Sequence, residues 1–388
     1  MSPPVLRIRT GNTYPIPFVV DLGQRNAEFL KRDPSPLLAR LPRRLARRVP
    51  PAITWMATHA FTVLPERDFD LLHLVNAVPL LCPRPYVLTF ESFMPRVPDD
   101  RYRRWLHLWL RRLLLGPRGL ALVAMSAYAL RQFAYQNRGF EAFPQLAAKT
   151  ELVYPAVSLR RSQPKKASDS LSLLFVGRQF MHKGGPVVVR AHERLRQRRV
   201  PVRTTVVSSL DWHARDFVGP PSAAYVRQET ARLGGEGIVH APQLSTRDVI
   251  ALMHRADYLI APTLHDTFGF AVLEALSCAT PVIATNTCAM PEIVEHGHSG
   301  LLLPLDNEEH VGKWRWLART ADPDYLDAYD RTIQSLAEVL TDSLMAQWET
   351  RPAYEAMSAD AIERVRSRFS RTGARDRLEQ IYERARGR

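Results

Sequence analysis

Apolar positions along the chain gather into short runs of strand type, separated by stretches with helical spacing. After an opening run at Leu6–Thr10, the first part of the chain carries Phe69–Val75, Tyr86–Phe90, Leu120–Met125 and Glu151–Tyr154. The second part carries Leu173–Val176, Arg203–Val207, Gly237–His240, Tyr258–Ala261 and Pro281–Ala284. Short apolar runs alternating with helical patterns imply parallel sheets, because a crossover long enough to hold a helix returns the chain in the same direction. Between the two series lies LRRSQPKKASDS, Leu159 to Ser170, which is polar and without apolar periodicity. This composition shift is the expected domain boundary. The organisation read from the pattern is residues 1–160 as one domain, 171–350 as a second, and 351–388 as a helical tail returning to the first. The helical pattern of that tail, Tyr354 to Arg384, breaks near Ser370–Gly373. The fold class is α/β, two doubly wound Rossmann-like domains facing a cleft. Ligands of open parallel sheets sit beyond the carboxyl ends of the strands, so chemistry is sought in the loops that follow strands.

Two such loops stand out. The run ending at Val176 is followed by Gly177-Arg178 and then Met181-His-Lys183-Gly-Gly185. A guanidinium offers a planar fork to phosphate oxygens and an ammonium adds a compact charge, which suits a diphosphate. Taken alone, the pair reads equally well as ordinary loop cations. The second stretch runs from Pro262 through His265, Asp266, Gly269, Phe270, Ala271 and Glu274 to Thr280-Pro-Val-Ile-Ala284. Here a strand feeds a helix at Ala271–Cys278. Backbone N–H groups at a helix start hold phosphate oxygens, Gly269 lets a ligand approach the backbone, and Asp266 and Glu274 accept hydrogen bonds from hydroxyls. A capping loop with a solvated glutamate is the plain alternative.

At these residues the chain resembles the family-4 retaining glycosyltransferases, glycosyl transferases group 1, which have the GT-B fold. The family pattern is a Glu, then Gly-Phe-Gly, then a second Glu after seven intervening residues; the same spacing here reads Asp266-Thr-Phe-Gly-Phe-Ala-Val-Leu-Glu274. Pro291-Glu-Ile-Val-Glu-His-Gly-His-Ser-Gly300-Leu-Leu-Leu-Pro304 also looks like the family. The resemblance is strong from about Leu173 to Pro304 and weak in the N-terminal half and in 306–353. It implies that Arg178 and Lys183, beside Gly177, bind the donor diphosphate, with Arg178, Lys183 and Asp266 as the catalytic set. Asp266 would hold donor-sugar hydroxyls, Glu274 the ribose, and Phe270 and Ala271 would offer N–H groups to phosphate, next to Gly269. The base would lie against the loop after Gly237–His240, and Glu292 would sit near the donor. No cofactor and no metal are needed in this reading, since the cations and the helix start neutralise the diphosphate. Asp266 replaces the first family Glu and Thr267 replaces a Gly, which points to a different or more deeply bound sugar.

The N-terminal half supplies acceptor-side candidates. Gly11 stands with Asn12 where the family has a Gly-Gly loop. Glu91 follows Thr89-Phe90 where many members have a His, and reads either as a hydrogen-bond acceptor or base near the acceptor or as a helix-start carboxylate. His73 ends a strand at the cleft side, and a satisfied, partly buried imidazole is an equal reading. Ser126 follows the run Leu120–Met125, where family members often have a Ser, and a helix cap explains it equally.

Charge changes this picture in one respect. Of a net +14, residues 1–160 carry +12, from 23 Lys and Arg against 11 Asp and Glu. A basic half points to an anionic partner, a nucleic acid, an acidic substrate or a lipid surface, and a well-solvated arginine-rich surface is an equal reading of any single cluster. The segment RYRRWLHLWLRRLLLGPR, Arg101 to Arg118, puts Tyr102, Trp105, Leu106, Trp109, Leu110 and Leu113 on one helical arc with arginines mostly on the rest, as does a membrane-surface helix. The alternative is a helix packed on the sheet. A second basic stretch, Arg40 to Arg48, favours an anionic membrane surface as partner. The expected partners are thus a nucleotide sugar of UDP or GDP type, a saccharide or lipid-linked acceptor, and that surface, with no nucleic acid. No run reaches the length of a membrane span, no signal peptide is visible, and Cys82, Cys278 and Cys288 form no disulfide framework or metal spacing, so a cytoplasmic protein peripheral at the inner membrane is expected. Two rival classes remain open: a glycoside hydrolase using Asp266 and Glu274, and a noncatalytic nucleic-acid binder, which lacks a recognisable motif.

Overall fold

The strand runs assemble into two six-stranded sheets in a computed structural model of the chain, which describes residues 5–10, 16–24, 26–31, 61–62, 68–80, 82–97, 103–213, 216–309, 312–351 and 353–386. The first sheet runs in the order Ala27–Lys31, Leu6–Thr10, Leu71–Val75, Tyr86–Phe90, Gly119–Ala124, Thr150–Leu152. The second runs Ile238–Ala241, Val202–Val207, Leu171–Val176, Tyr258–Ala261, Val282–Thr285, Gly300–Leu303. Every pairing in both is parallel. The near-continuous apolar runs have their reason here: Leu71–Val75 and Tyr86–Phe90 are buried at every position, as central strands covered on both faces must be. In the second sheet the order reverses between Leu171–Val176 and Tyr258–Ala261, with the first strand of the unit beside the fourth. Such a reversal leaves a crevice between loops that leave in opposite directions.

The chain divides into two compact units, Met1–Ala156 with Phe369–Arg388, and Val157–Arg368. The polar segment before Leu171 belongs to the second unit and is tightly held there. The backbone N–H groups of Arg160 and Arg161 donate to Ser277 O, and that of Lys165 donates to Ser358 Oγ. Lys165 is buried, and its Nζ donates to Met253 O and Ala256 O, both at 2.7 Å, and to Thr280 Oγ1 at 2.6 Å. A lysine thus closes the carbonyl end of the helix Thr246–Arg255, the favourable end for a cation, although burial brings its pKa down to about 8. The segment is polar because it satisfies another element's backbone.

The tail is shared between the units. Helix Ala353–Arg368 packs in the second, with Tyr354, Met357, Ala361, Ile362 and Val365 buried. After the break at 369–370, helix Arg371–Arg386 joins the first, where Leu378, Ile381 and Tyr382 pack with Leu6, Ile8, Leu71 and Val87. Strands Ala27–Lys31 and Gly300–Leu303 and the helix Tyr325–Glu349 are elements that the apolar runs did not separate.

The basic helix forms over Arg103–Leu115. Its expected single apolar arc is divided. Leu106, Leu110 and Leu114 fill the core of the first unit, whereas Trp105 is 61% exposed and Trp109 41%. Tyr102, Gly11 and the stretch Arg40 to Arg48 lie outside the described residues.

Candidate active site

The reversal point of the second sheet is where the two notable loops meet. Leu171–Val176 ends into Gly177, and the chain turns through 178–184 into the helix Gly185–Gln197. Tyr258–Ala261 ends into 262–269 and the helix Phe270–Ser277. The turn closes because Gly184 has φ +77°, and a Cβ there would run into the carbonyl oxygen of Pro262, so the loops touch backbone to backbone. Gly177 lies against the stem of Lys183, 3.0 Å from where a Cβ would stand. Lys183 then reaches across: its Nζ is 2.8 Å from Asp266 Oδ2 and 3.5 Å from His265 O. Both side chains of this ion pair are 27% exposed.

Burial works to raise the Asp266 pKa, but Lys183 outweighs it and holds the carboxyl below its ordinary value. The group is an anion at neutral pH, an acceptor with a fixed neighbour cation. A recess beside it is lined by Lys183, Asp266, Gly269, Ala271 and Met290 over the ends of the two central strands. Gly269 caps the helix Phe270–Ser277 with φ +90°, and no side chain caps that helix. A helix start with Gly at its cap keeps its positive end accessible to an anion.

The structure therefore brings Lys183, Asp266, Gly269 and Ala271 together, with Gly177 under the lysine and Phe270 opening the helix. Arg178 and Glu274 are not among the residues lining the recess. Arg178 is 87% exposed and paired with Asp211 at 3.2 Å, while its carbonyl oxygen accepts from Ser208 Oγ and Asp211 N. Glu274 is half-buried one turn into the helix, and burial pushes its pKa up against the opposing charge of Arg160. Glu292 lies in the short helix Met290–Ile293, where its carbonyl oxygen accepts from Arg364.

Sequence reading passed over the residues that brace this pair. His182, beside Lys183, donates from Nε2 to His265 O at 3.0 Å, and its Nδ1 lies 3.6 Å from Asp216 Oδ2. The carbonyl oxygen of His265 can only accept, so His182 carries its proton on Nε2. Phe217 stands edge to face against both imidazoles, at 5.3 Å from His182 and 5.4 Å from His265. Burial, with the cations Lys313 and Lys183 nearby, brings the His265 pKa down to about 3, so it is neutral. The available signal was adjacency: each histidine precedes a charged site residue in the sequence.

In the N-terminal unit the candidates occupy different surroundings. His73 is 0% exposed; its Nδ1 meets Tyr382 Oη at 2.6 Å and its Nε2 meets Thr89 Oγ1 at 2.7 Å, and burial brings its pKa down to about 3. Both ring nitrogens are used within the fold. Ser126 is the N-cap of Ala127–Asn137, its Oγ accepting from Ala129 N at 3.0 Å. Glu91 closes the strand Tyr86–Phe90 and is clamped at Oε1 by Arg96 at 2.6 Å, while its buried Oε2 has no hydrogen-bond partner among the described residues. Among the described residues, no group of three or more His, Cys, Asp or Glu is placed to hold a metal ion, and the three cysteines are buried and form no disulfide.

Comparison with known proteins adds family and fold. The model of the family described as glycosyl transferases group 1 matches residues 170–318. The chain is 29% identical over 163 residues to D-inositol 3-phosphate glycosyltransferase of Paenarthrobacter aurescens, covering 40% of this chain and 36% of that one. It is 30% identical over 207 residues to the Streptomyces bingchenggensis protein of the same description, covering 49% and 43%. The matched stretch thus spans less than half the length of these curated relatives. Two solved structures superpose along nearly the whole chain. Sucrose-phosphate synthase from Thermosynechococcus elongatus has a TM-score of 0.60 at 16% identity, covering 98% of each chain. Anabaena HepE in complex with UDP-glucose has 0.61 at 15%, covering 97% of this chain and 99% of that one. At such identities the likeness concerns the fold, which is the expected GT-B type with its two doubly wound sheets.

Proposed function

We propose, from the premise that residues 170–318 belong to the glycosyl transferases group 1, that the protein transfers a hexosyl group with retention from a nucleoside-diphosphate sugar of UDP or GDP type. The acceptor is a saccharide or a lipid-linked saccharide, in the synthesis of cell-surface polysaccharide or glycolipid. The observation that carries this reading is the Lys183–Asp266 pair at 2.8 Å, set over the reversal point of a doubly wound sheet beside a glycine-capped helix start. Lys183 meets the diphosphate, and the exposed Arg178 exchanges Asp211 for a phosphate oxygen. The N–H groups of Phe270 and Ala271 receive phosphate at the positive end of their helix. Asp266, kept ionised, accepts from donor-sugar hydroxyls, and Glu274 accepts from the ribose. As the glycosidic bond breaks, negative charge grows on the leaving diphosphate, and oriented cations stabilise that state more than the ground state. The UDP-glucose bound to Anabaena HepE, which shares the fold, supports the UDP type.

On the acceptor side, Glu91 is the candidate, since one carboxylate oxygen is held by Arg96 and the other is uncommitted. No helix among the described residues is long and apolar enough to cross a membrane. The reading is a cytoplasmic enzyme, peripheral at the inner membrane. Because cations and helix N–H groups meet the diphosphate, EDTA should leave turnover unchanged, and an absolute need for Mg²⁺ or Mn²⁺ would remove this account of the charge. The central experiment is a panel of UDP-, GDP- and ADP-sugars, each tested for protection against thermal unfolding and for release of nucleoside diphosphate. A true donor at 100 times its Kd stabilises the fold by about 2.7 kcal/mol. Hydrolysis of a glycoside without nucleotide, or protection by nucleic acid alone, would favour the rival classes.

A further inference from the structure

Large apolar side chains exposed to water are unevenly placed in this protein. Among the described residues eight are exposed, and five of them, Phe93, Trp105, Leu108, Trp109 and Tyr135, belong to one neighbourhood of the N-terminal unit. Hydrogen bonds knit that neighbourhood together. Arg111, on the helix Arg103–Leu115, donates from Nε to Asn137 Oδ1 at 2.6 Å and from its NH2 group to Gln136 O at 2.9 Å. Gln136 in turn donates to Pro95 O at 2.8 Å and accepts from Met94 N at 2.8 Å. The helix, the end of Ala127–Asn137 and the loop that carries Phe93 are therefore adjacent.

The helix Arg103–Leu115 is apolar on two sides. Leu106, Leu110 and Leu114 fill the core, and Trp105, Leu108 and Trp109, at spacings that put them on one face, point outward. A helix that serves only the core puts polar side chains outward. Contiguous exposed aromatic and aliphatic surface marks a docking face. Arg112, exposed on the next turn, and Arg138, stacked 3.8 Å over the ring of Tyr135, set cations at its margin.

We propose that this face, formed by Phe93, Trp105, Leu108, Trp109 and Tyr135, docks into the interfacial layer of an anionic lipid bilayer. Trp and Tyr rings are suited to that layer, where one end is apolar and the other wet, and arginines at the margin meet anionic headgroups. The +12 of residues 1–160 complements such a surface and opposes the pairing of two copies through the same face. The face also borders the acceptor-side candidate: Phe93 is two residues from Glu91, and Arg96, which clamps Glu91, follows the hydrogen-bonded Pro95. A bilayer held there presents its headgroups beside Glu91. The inference deepens the proposed lipid-linked acceptor and rests on that reading for its purpose, although docking itself is measured separately.

The test is flotation of the full chain with vesicles of phosphatidylcholine alone or mixed with phosphatidylglycerol, at low and high salt. The wild type should float with the anionic vesicles at low salt only. The double variant Trp105→Ser/Trp109→Ser should bind them at least tenfold more weakly, and Arg112→Gln about fivefold more weakly. Protection of both variants by the nucleotide sugar against thermal unfolding should match the wild type, which shows that they fold. Failure of the wild type to float, or equal flotation of the double variant, would overturn the docking face. So would concentration-dependent dimerisation that the double variant abolishes, which would assign the face to a second copy. Absence of any nucleotide-sugar protection alongside normal flotation would instead sink the transferase reading and leave the docking face standing.

Discussion

The two units use their polar residues in opposite ways. In the C-terminal unit, Lys183 and Asp266 are each 27% exposed, bonded chiefly to each other, and face a recess. In the N-terminal unit, His73 and Ser126 are 0% exposed and bonded to Tyr382, Thr89 and Ala129. A partly exposed ion pair can exchange its partner for a ligand at small cost, because water already screens it. A buried imidazole with both nitrogens satisfied cannot, since releasing either partner strands a polar group away from water. The contrast teaches that position at a strand end does not assign a role. What separates a binding residue from a structural one is whether its partner is replaceable.

The sharpest way to break this contrast is at the diphosphate. Lys183→Ala should lower turnover roughly 10²-fold or more, with Arg178→Ala in the same direction, as for loss of other oriented charge stabilisers. Near-normal steady-state rates in both would take the cations out of the mechanism. The next largest effect is on stability and belongs to the other unit. His73→Ala opens a cavity and leaves Tyr382 and Thr89 without their partner, for a loss of about 3 kcal/mol in denaturant unfolding, with nucleotide-sugar affinity retained. The same residue gives a pH dependence. Unfolded, it takes up a proton near pH 6.5; folded, only near 3, so stability is lost as the pH falls between those values. His73→Gln should flatten that part of the profile, and an unchanged slope would show that His73 is not its source.

Smaller effects refine the donor site. Asp266→Asn should alter preference among sugars carried on one nucleotide, whereas Glu274→Gln should weaken all donors of that nucleotide alike, about tenfold in KM. The reverse pattern would exchange their roles. Smallest is Ser126→Ala, which removes a helix cap worth about 1 kcal/mol and should leave kcat untouched. A fall in kcat with stability intact would return Ser126 to the acceptor side.

Much of the fold was legible because buried parallel strands need continuous apolar runs, and Tyr86–Phe90 and Tyr258–Ala261 have the bounds read from the sequence. Asp266 and Glu274 stood out through a spacing that resembles the family pattern; Asp266 lines the recess, whereas Glu274, one turn into the helix, does not. Three things were not legible. Ala27–Lys31 carries Glu28 and Lys31 on an edge strand, so its pattern resembles a loop. The segment 159–170 looked like a linker because its Lys165 serves the carbonyl end of another helix, which no local pattern reveals. The division of the basic helix into two apolar faces depends on which leucines the sheet accepts, a tertiary fact.

The helix Arg371–Arg386 has a consequence for synthesis. Its Leu378, Ile381 and Tyr382 complete the core that contains Leu6, Ile8 and Leu71, and Tyr382 supplies the partner of His73. A chain emerging from the ribosome therefore possesses every residue of the second unit before the first can be finished. The later-made unit is complete once Arg368 is out, while the earlier-made one waits with an apolar face uncovered until the final turns arrive. Order of translation and order of completion are inverted, which leaves the earlier-made unit exposed for longer and makes the helix Arg371–Arg386 a poor place for a truncation.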